Sequence, residues 1–131
     1  MDAESKAARD ELDPLGYALI GACFEVYNHL GSGFLEEVYQ ESLELELANR
    51  HIDFISQPQL RLSYKGTPLR KHYEADLLVA GEIVVELKAA KSLLPEHEAQ
   101  LINYLKAAKM RTGYLVNFGS FPRLDWRRRI V

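Results

Sequence analysis

The stretch YEADLLVAGEIVVELKAA, residues 73–90, decides the fold of this chain. It contains two strand-like apolar runs separated by Ala80 and Gly81, which together are typical of a turn. Strand side chains alternate between faces, so a register that pairs odd with odd residues collects one apolar set: Tyr73, Ala75, Leu77, Val79, Ile83, Val85, Leu87 and Ala89. An even-length loop would split this set, so the sequence predicts a three- or five-residue connection around Gly81.

The same register gathers polar side chains on the opposite face. Glu86 and Lys88 lie on that face, and Asp76 lies across from or diagonal to Glu86. Two carboxylates held close together on a partly buried face repel each other, and Lys88 alone can neutralise only one. A divalent cation satisfies both, and all-oxygen ligation suits Mg²⁺ or Mn²⁺. The sequence therefore predicts phosphodiester hydrolysis, with Glu86 as a metal ligand and Lys88 activating a water molecule or stabilising charge on a phosphoryl group.

An ordinary ion pair is the structural alternative for this acid and lysine. Glu86 and Lys88 are two residues apart on one strand face, and such pairs are common on half-exposed sheets. The Glu-x-Lys spacing alone is a weak signal. What favours a site is Asp76, which must share that face for independent packing reasons.

Composition indicates one globular domain. The chain has 131 residues, is 47% hydrophobic and contains one cysteine, Cys23, which cannot form an internal disulfide. The N-terminal residues 1–14 lack the order of a signal peptide, and no apolar run approaches the roughly 18 residues of a membrane span. We expect a cytoplasmic protein that does not enter the membrane.

Charge is distributed unevenly along the chain. Residues 1–64 contain 4 Lys+Arg and 12 Asp+Glu, whereas residues 65–131 contain 12 and 7, although the net charge is -3. A positive surface is therefore compatible with the acidic total, and solvated faces of charged helices are the alternative explanation.

Apolar spacing predicts the order helix, helix, three antiparallel strands, helix, strand. The helices cover residues 12–30, about 34–50, and a segment opened by Pro95; the last strand is TGYLVNFG, residues 112–119. This order indicates an α/β sandwich with a small mixed sheet flanked by helices. The ending FPRLDWRRRIV, residues 121–131, is either a short docked segment or a basic arm.

The motif residues resemble a known nuclease pattern. Asp76 followed by Glu86-Leu87-Lys88 resembles the motif of the PD-(D/E)XK nuclease superfamily, and GFLEEVY, residues 33–39, resembles the signature of the GxxExxY protein family. The resemblance covers about residues 12–120. It implies one domain over residues 1–131, with a restriction-endonuclease-like αβββαβ core and a basic C-terminal segment at 121–131.

The resemblance also implies roles at matching positions. Asp76 and Glu86 match the metal-binding acids, Lys88 matches the catalytic lysine, and all three are candidate catalytic residues. Glu36 matches an acidic residue presented from a helix that precedes the sheet, and it is a third candidate metal ligand. The sequence departs from the family pattern at Ala75, where many members have proline, which affects the entry geometry of the strand more than the chemistry.

Two helical pairs complete the candidate site. Gln100 and Tyr104 match a Gln-x-x-x-Tyr element of RecB-like members, and Tyr39 shares a helix face with Glu36. An amide can bind a phosphate and a tyrosine ring can stack on a base, whereas core packing is the alternative for both tyrosines. His97 fits a solvated residue at a helix start better than a ligand of a hard cation.

The first functional interpretation is a nuclease that depends on Mg²⁺ or Mn²⁺ and acts on DNA. The run Arg127–Arg129 beside Trp126 is a further candidate for binding the nucleic-acid backbone, or simply a solvated end of the chain.

A second interpretation is a catalytically silent nuclease-fold module that binds nucleic acid or a protein partner. A third is a toxin or defence component of a larger assembly. The sequence leaves open DNA versus RNA and monomer versus homodimer.

Overall fold

Two helices precede the strands in the computed structural model, which describes residues 13–131. Helix α1 covers Pro14–Leu30 and helix α2 covers Glu36–Asn49. Asp13 caps α1, because its Oδ1 accepts a hydrogen bond of 2.6 Å from the Gly16 N–H. Gly31 ends α1 with a φ of 72°, a conformation that glycine adopts without steric cost. The predicted start of this helix at residue 12 lies outside the described residues.

The remaining elements form two sheets and one helix. In chain order they are β1 Phe54–Ser56, β2 Gln59–Tyr64, β3 Thr67–Glu74, β4 Leu77–Val79, β5 Ile83–Lys88, α3 Pro95–Ala108, β6 Thr112–Asn117 and β7 Asp125–Ile130. Within the described residues, one sheet has five strands in the order β1-β4-β5-β6-β7, and β2 and β3 form a separate antiparallel hairpin. The β5–β6 pair is parallel and the other pairs are antiparallel. The predicted mixed sheet flanked by helices is confirmed.

The register of the central hairpin follows the predicted pattern. Leu77 lies opposite Val85 and Val79 lies opposite Ile83, so odd residues pair with odd residues. The connection consists of residues 80–82, which confirms the expected three-residue alternative. This register keeps the apolar side chains of β4 and β5 on one face.

The prediction was wrong about the residues just before β4. Tyr73 and Ala75 were expected on the same face as Leu77, but they pack in a second cluster with Val84, on the opposite face. The reason is that β3 pairs with β2 instead of β5, and the chain leaves regular strand geometry at residues 75–76.

The sheet has a core on each face. Helices α1 and α2 cover one face, where the buried cluster includes Leu19, Val26, Leu43, Leu47, Leu77, Val79, Val85, Leu87, Tyr114 and Val116. Helix α3 and the β2–β3 hairpin cover the other face, where the buried cluster contains Tyr73, Ala75, Val84, Leu101, Leu105 and Leu115. The sheet therefore lies between two layers, and none of the described helices is long and apolar enough to cross a membrane.

The arginine-rich end of the chain is an edge strand. Strand β7 pairs with β6, and Trp126 packs beside Tyr114 with ring centroids 6.2 Å apart. Arg127 and Arg129 both pair with Glu98 on α3, at 3.4 Å for Arg127. The segment is therefore the docked alternative and not a free basic arm, and Arg127 and Arg129 connect the strand to α3.

The chain beyond β5 is held by one buried side chain. Asn117 is fully buried; its Oδ1 accepts from the N–H groups of Ala90 (3.0 Å) and Gly119 (3.1 Å), and its Nδ2 donates to the Ala90 carbonyl (2.9 Å). These bonds satisfy backbone groups that would otherwise be buried without partners. The same contact brings the two chain segments so close that a Cβ on Gly119 would lie 2.5 Å from the Ala90 nitrogen.

Gly119→Ala should destabilise the fold, by about 2 kcal/mol or more, because the added methyl group meets backbone that cannot rotate away. Gly21→Ala is the matched control: its Cβ would meet only the flexible end of Arg50, at 3.2 Å. Since Gly21 lies inside α1, its replacement should be neutral or stabilise by about 0.5–1 kcal/mol. Urea denaturation of both variants measures the difference, and equal midpoints would contradict this account of the Gly119 contact.

Candidate active site

The adjacent ends of β4 and β5 bring two carboxylates together. Asp76 directly precedes β4, and the pairing of Leu77 with Val85 places it beside Glu86. The Oδ2 of Asp76 accepts a hydrogen bond of 2.6 Å from the backbone N–H of Leu87. The side chain of Asp76 therefore reaches across to β5, and the structure places it next to Glu86 as the sequence indicated.

The backbone of Asp76 is fixed from outside the sheet. Its carbonyl accepts hydrogen bonds from Gln40 Nε2 at 2.7 Å and from the Gln57 N–H at 2.9 Å. Sequence reasoning missed Gln40. A signal was present, because Gln40 lies one helical turn after Glu36 and therefore on the same face of α2.

Tyr73 is a second residue of the site that sequence reasoning missed. Its O–H donates a short hydrogen bond to Glu86 Oε1, and its ring stacks on Tyr104 with centroids 4.0 Å apart. The backbone N–H of Asp76 also donates to the Glu86 carboxylate. Alternation alone predicts Tyr73 on the apolar face, because it does not reveal the interruption after β3. Together these bonds fix the orientation of Glu86.

Lys88 lies two residues after Glu86 on the same face of β5 and is half-buried. Its ammonium nitrogen forms no ion pair within 4.0 Å of any carboxylate among residues 13–131. Its positive charge nevertheless lowers the pKa of both Asp76 and Glu86. The structural alternative of an ordinary Glu86–Lys88 ion pair is therefore not what the chain forms, and the ammonium group stays available to a ligand.

Burial makes the two carboxyl groups hard to ionise. It raises the pKa of Glu86 to about 7, with a further contribution from the charge of Asp76, while the Tyr73 hydrogen bond and Lys88 act in the opposite direction. Burial also raises the pKa of Asp76, opposed by the Leu87 N–H and by Lys88. Ionising both carboxyl groups therefore costs free energy, and a bound cation would reduce that cost.

Glu36, the first residue of α2, is close enough to interact with this pair by charge. Its side chain is largely exposed, yet partial burial of the carboxyl group and the charge of Asp76 raise its pKa. Among residues 13–131, no three His, Cys, Asp or Glu side chains form a group that could hold a metal ion. Glu36 as a third direct ligand therefore stays a prediction, and what the structure shows is an interaction by charge between Glu36 and Asp76.

Tyr39 was predicted to support nucleic-acid binding, and the structure contradicts this role. The residue is fully buried and its ring stacks on Phe118 with centroids 4.7 Å apart. Its O–H donates to the Gly31 carbonyl at 2.5 Å and accepts from the Phe34 N–H at 3.2 Å. Tyr39 therefore anchors the loop between α1 and α2, which is the packing alternative.

The candidate residues on α3 have different environments. One ring face of Tyr104 is covered by Tyr73, so this tyrosine supports the site through Tyr73, and that face is not available to a base. Gln100 is exposed, and its side chain forms no hydrogen bond with another residue of the described range. His97 accepts a bond of 3.1 Å from the Leu94 N–H through Nδ1 and so caps the helix start.

The donor set formed by Asp76 and Glu86 fits a hard divalent cation. Each carboxylate has about four lone-pair positions, and the hydrogen bonds from Leu87, Tyr73 and the backbone of Asp76 occupy only part of them. Mg²⁺ is commonly bound by one or two carboxylates while it keeps several waters. Two protein ligands are therefore sufficient for such an ion, without a third acidic residue.

Metal-free protein should lose stability as the pH rises. Glu86 has a pKa of about 7 in the folded chain, compared with an ordinary value of 4.5, so the folded state binds more protons between these pH values. Stability falls across this window and stays lower above it. Glu86→Gln should remove this dependence, whereas Glu82→Gln, on the exposed loop after β4, should leave it unchanged. Urea midpoints measured with EDTA between pH 5 and about 8 provide the test; a Glu86→Gln benefit that does not grow with pH would contradict the assignment.

Comparison with known proteins gives a family and a fold. Residues 13–129 match the family described as the PD-(D/E)XK nuclease superfamily. A solved structure titled "Crystal structure of SSO0001" is similar with a TM-score of 0.56 and 20% sequence identity, over 72% of this chain and 50% of that chain. This chain thus spans about half the length of that protein. The comparison with curated proteins found no match to this chain.

The family match covers nearly all of the described residues, including both helices that flank the site and all strands that build it. The match supports membership of the superfamily. The narrower GxxExxY family remains a resemblance based on the motif at residues 33–39. The chain belongs to the PD-(D/E)XK nuclease superfamily.

Proposed function

We propose that this protein is a metal-dependent nuclease that hydrolyses phosphodiester bonds in DNA. The observation that carries the proposal is the arrangement at the end of β5, where Asp76 and Glu86 lie side by side while Lys88 has no carboxylate partner among residues 13–131. Membership of a nuclease superfamily supports the reaction class.

Asp76 and Glu86 would hold Mg²⁺ or Mn²⁺ through carboxylate oxygens. When bound, the cation supplies Lewis-acid stabilisation of the negative charge that develops on a phosphoryl group. The Leu87 N–H orients Asp76, and Tyr73 orients Glu86 and favours its ionised form. These fixed hydrogen bonds pre-organise the two ligands, so little reorganisation is needed when substrate arrives.

Lys88 would position the attacking water and stabilise negative charge at the scissile phosphate. Its half-buried location strengthens this interaction, because charges act over a lower effective dielectric there than in water. Glu36 contributes negative charge from the N-terminus of α2 and supports the two direct ligands at longer range. Gln100, exposed on α3, would bind a phosphate oxygen of the substrate through its amide N–H group.

A module that binds without cleaving is the second candidate. It is compatible with the superfamily match, which gives the fold and reaction class of relatives but not the catalytic competence of this chain. The two candidates differ in one measurable property, which is hydrolysis of nucleic acid in the presence of a divalent cation.

Purified protein should cleave DNA with Mg²⁺ or Mn²⁺ and not with EDTA. Glu86→Gln and Lys88→Met should each lower the rate by about a hundredfold or more, because they remove a metal ligand and the charge beside the reacting phosphate. The matched controls Glu82→Gln and Lys106→Met change the same charges at exposed positions and should cleave at nearly the wild-type rate.

Gel assays with single- and double-stranded DNA and RNA measure these rates, and circular dichroism checks that each variant is folded. The nuclease proposal fails if folded wild-type protein cleaves none of the substrates, or if Glu86→Gln and Lys88→Met both cleave at the wild-type rate. In the first case, retained binding of nucleic acid would support the non-cleaving module.

Metal binding can be measured without any substrate. Calorimetric titration with Mn²⁺ should show binding to the wild type that is lost in Asp76→Asn and Glu86→Gln, since each removes one of two carboxylate ligands. Glu36→Gln should weaken binding only a few-fold, because Glu36 acts by charge at longer range. Unchanged affinity in Asp76→Asn and Glu86→Gln would rule out this pair as the metal site.

A further inference from the structure

The β2–β3 hairpin carries a concentration of positive charge on an exposed part of the fold. Residues 59–74 contain four cationic residues, Arg61, Lys65, Arg70 and Lys71, and one acidic residue, Glu74. All five side chains are exposed. The hairpin therefore carries a positive net charge, whereas the whole chain has a net charge of -3.

The hairpin cations lack the partners that other arginines of the fold have. Arg127 and Arg129 pair with Glu98, and Arg50 pairs with Glu46. By contrast, no carboxylate among residues 13–131 lies within 4.0 Å of the four hairpin cations. Lys65 instead lies over the ring of its neighbour Tyr64, 5.5 Å from the centroid, and that tyrosine is itself 63% exposed.

Strand pairing explains why the charges face outward. Leu60 lies opposite Tyr73, and both pack in the cluster under α3. The next pair, Arg61 opposite His72, must point to the other face of the hairpin, away from that cluster. The register then shifts between Arg61 and Ser63. Such an irregularity changes the direction of side chains on β3, the longer strand. The shift gives the exposed residues 69–71 no regular pairing and leaves them at the surface.

The hairpin leads directly into the candidate site. Tyr73, near the end of β3, donates to Glu86, and Asp76 follows the end of the strand by two residues. At about 3.3 Å per residue, Lys71 is at most roughly 16 Å along the chain from Asp76. That distance equals about five base pairs of duplex DNA, at 3.4 Å each. A duplex with one phosphate in the site is therefore long enough to reach the hairpin.

We propose that the β2–β3 hairpin binds the phosphate backbone of duplex DNA beside the candidate active site. This inference rests on the proposed function, because it assumes that a nucleic acid is the substrate. Arginine and lysine contacts to phosphates are independent of base sequence, so the hairpin positions the duplex without selecting a sequence. A two-stranded ribbon fits the wide major groove of B-form DNA, whereas the narrow major groove of A-form RNA excludes it.

The test is the salt dependence of DNA binding, measured by fluorescence anisotropy with a short duplex in EDTA so that metal-dependent cleavage cannot occur. Between about 50 and 200 mM KCl, the triple variant Arg61→Gln, Arg70→Gln, Lys71→Gln should lower the slope of log affinity against log salt by roughly 2 to 3. Its affinity should fall roughly tenfold or more at the lower salt concentration.

Two controls separate a local effect from a general one. Arg50→Gln removes one exposed positive charge beyond the far end of α2 and should leave the slope unchanged, whereas Arg70→Gln should lower it by roughly 1. Mn²⁺ titration of the triple variant should match the wild type, which shows that the fold and the candidate metal site are intact.

The possible outcomes distinguish this inference from the nuclease proposal. Wild-type affinity and slope in the triple variant, or no binding of duplex DNA by the wild type, would overturn the hairpin inference even if cleavage is observed. Hairpin-dependent binding without cleavage would support it and would overturn the nuclease proposal. Equal, hairpin-dependent binding of an RNA duplex would overturn the assignment of DNA as the occupant.

Discussion

The close approach of Asp76 and Glu86 is the constraint on which the site depends. The carboxylate of Asp76 is fixed to β5 by the Leu87 N–H and that of Glu86 is held by the Tyr73 O–H, so the two groups cannot separate without breaking one of these hydrogen bonds. Burial raises the pKa of both groups, and Tyr73 and Lys88 offset only part of that cost. A half-buried pair of this kind is costly for stability, and groups with such raised pKa values are frequent at functional sites.

Much of this arrangement could be predicted because one pattern determines it. Apolar residues at odd positions in β4 and β5 fix the odd-with-odd register and limit the turn to three or five residues, and that register brings Asp76 beside Glu86. The parallel pairing of β5 with β6 follows from α3, which crosses from one strand to the next. Local alternation and connection length were sufficient for both conclusions.

The residues that could not be predicted depend on irregular or long-range geometry. Tyr73 reaches Glu86 only because the chain departs from strand geometry at residues 75–76, and alternation assigned it to the wrong face. Gln40 binds Asp76 across a separation of 36 residues. Tyr39 has helical spacing that suits either a core or a binding surface, and only its stacking on Phe118 decides for the core. Spacing gives the face of a helix but not what lies against it.

The central claim is that Asp76 and Glu86 together bind a divalent cation while Lys88 stays free for the substrate. A crystal structure of the protein grown with Mn²⁺, with anomalous diffraction data, tests this most directly. The account predicts one anomalous peak within coordination distance of a carboxylate oxygen of both Asp76 and Glu86, with Lys88 outside the coordination sphere. A peak at other residues, or no peak and a Lys88 ammonium in contact with both carboxylates, would contradict it.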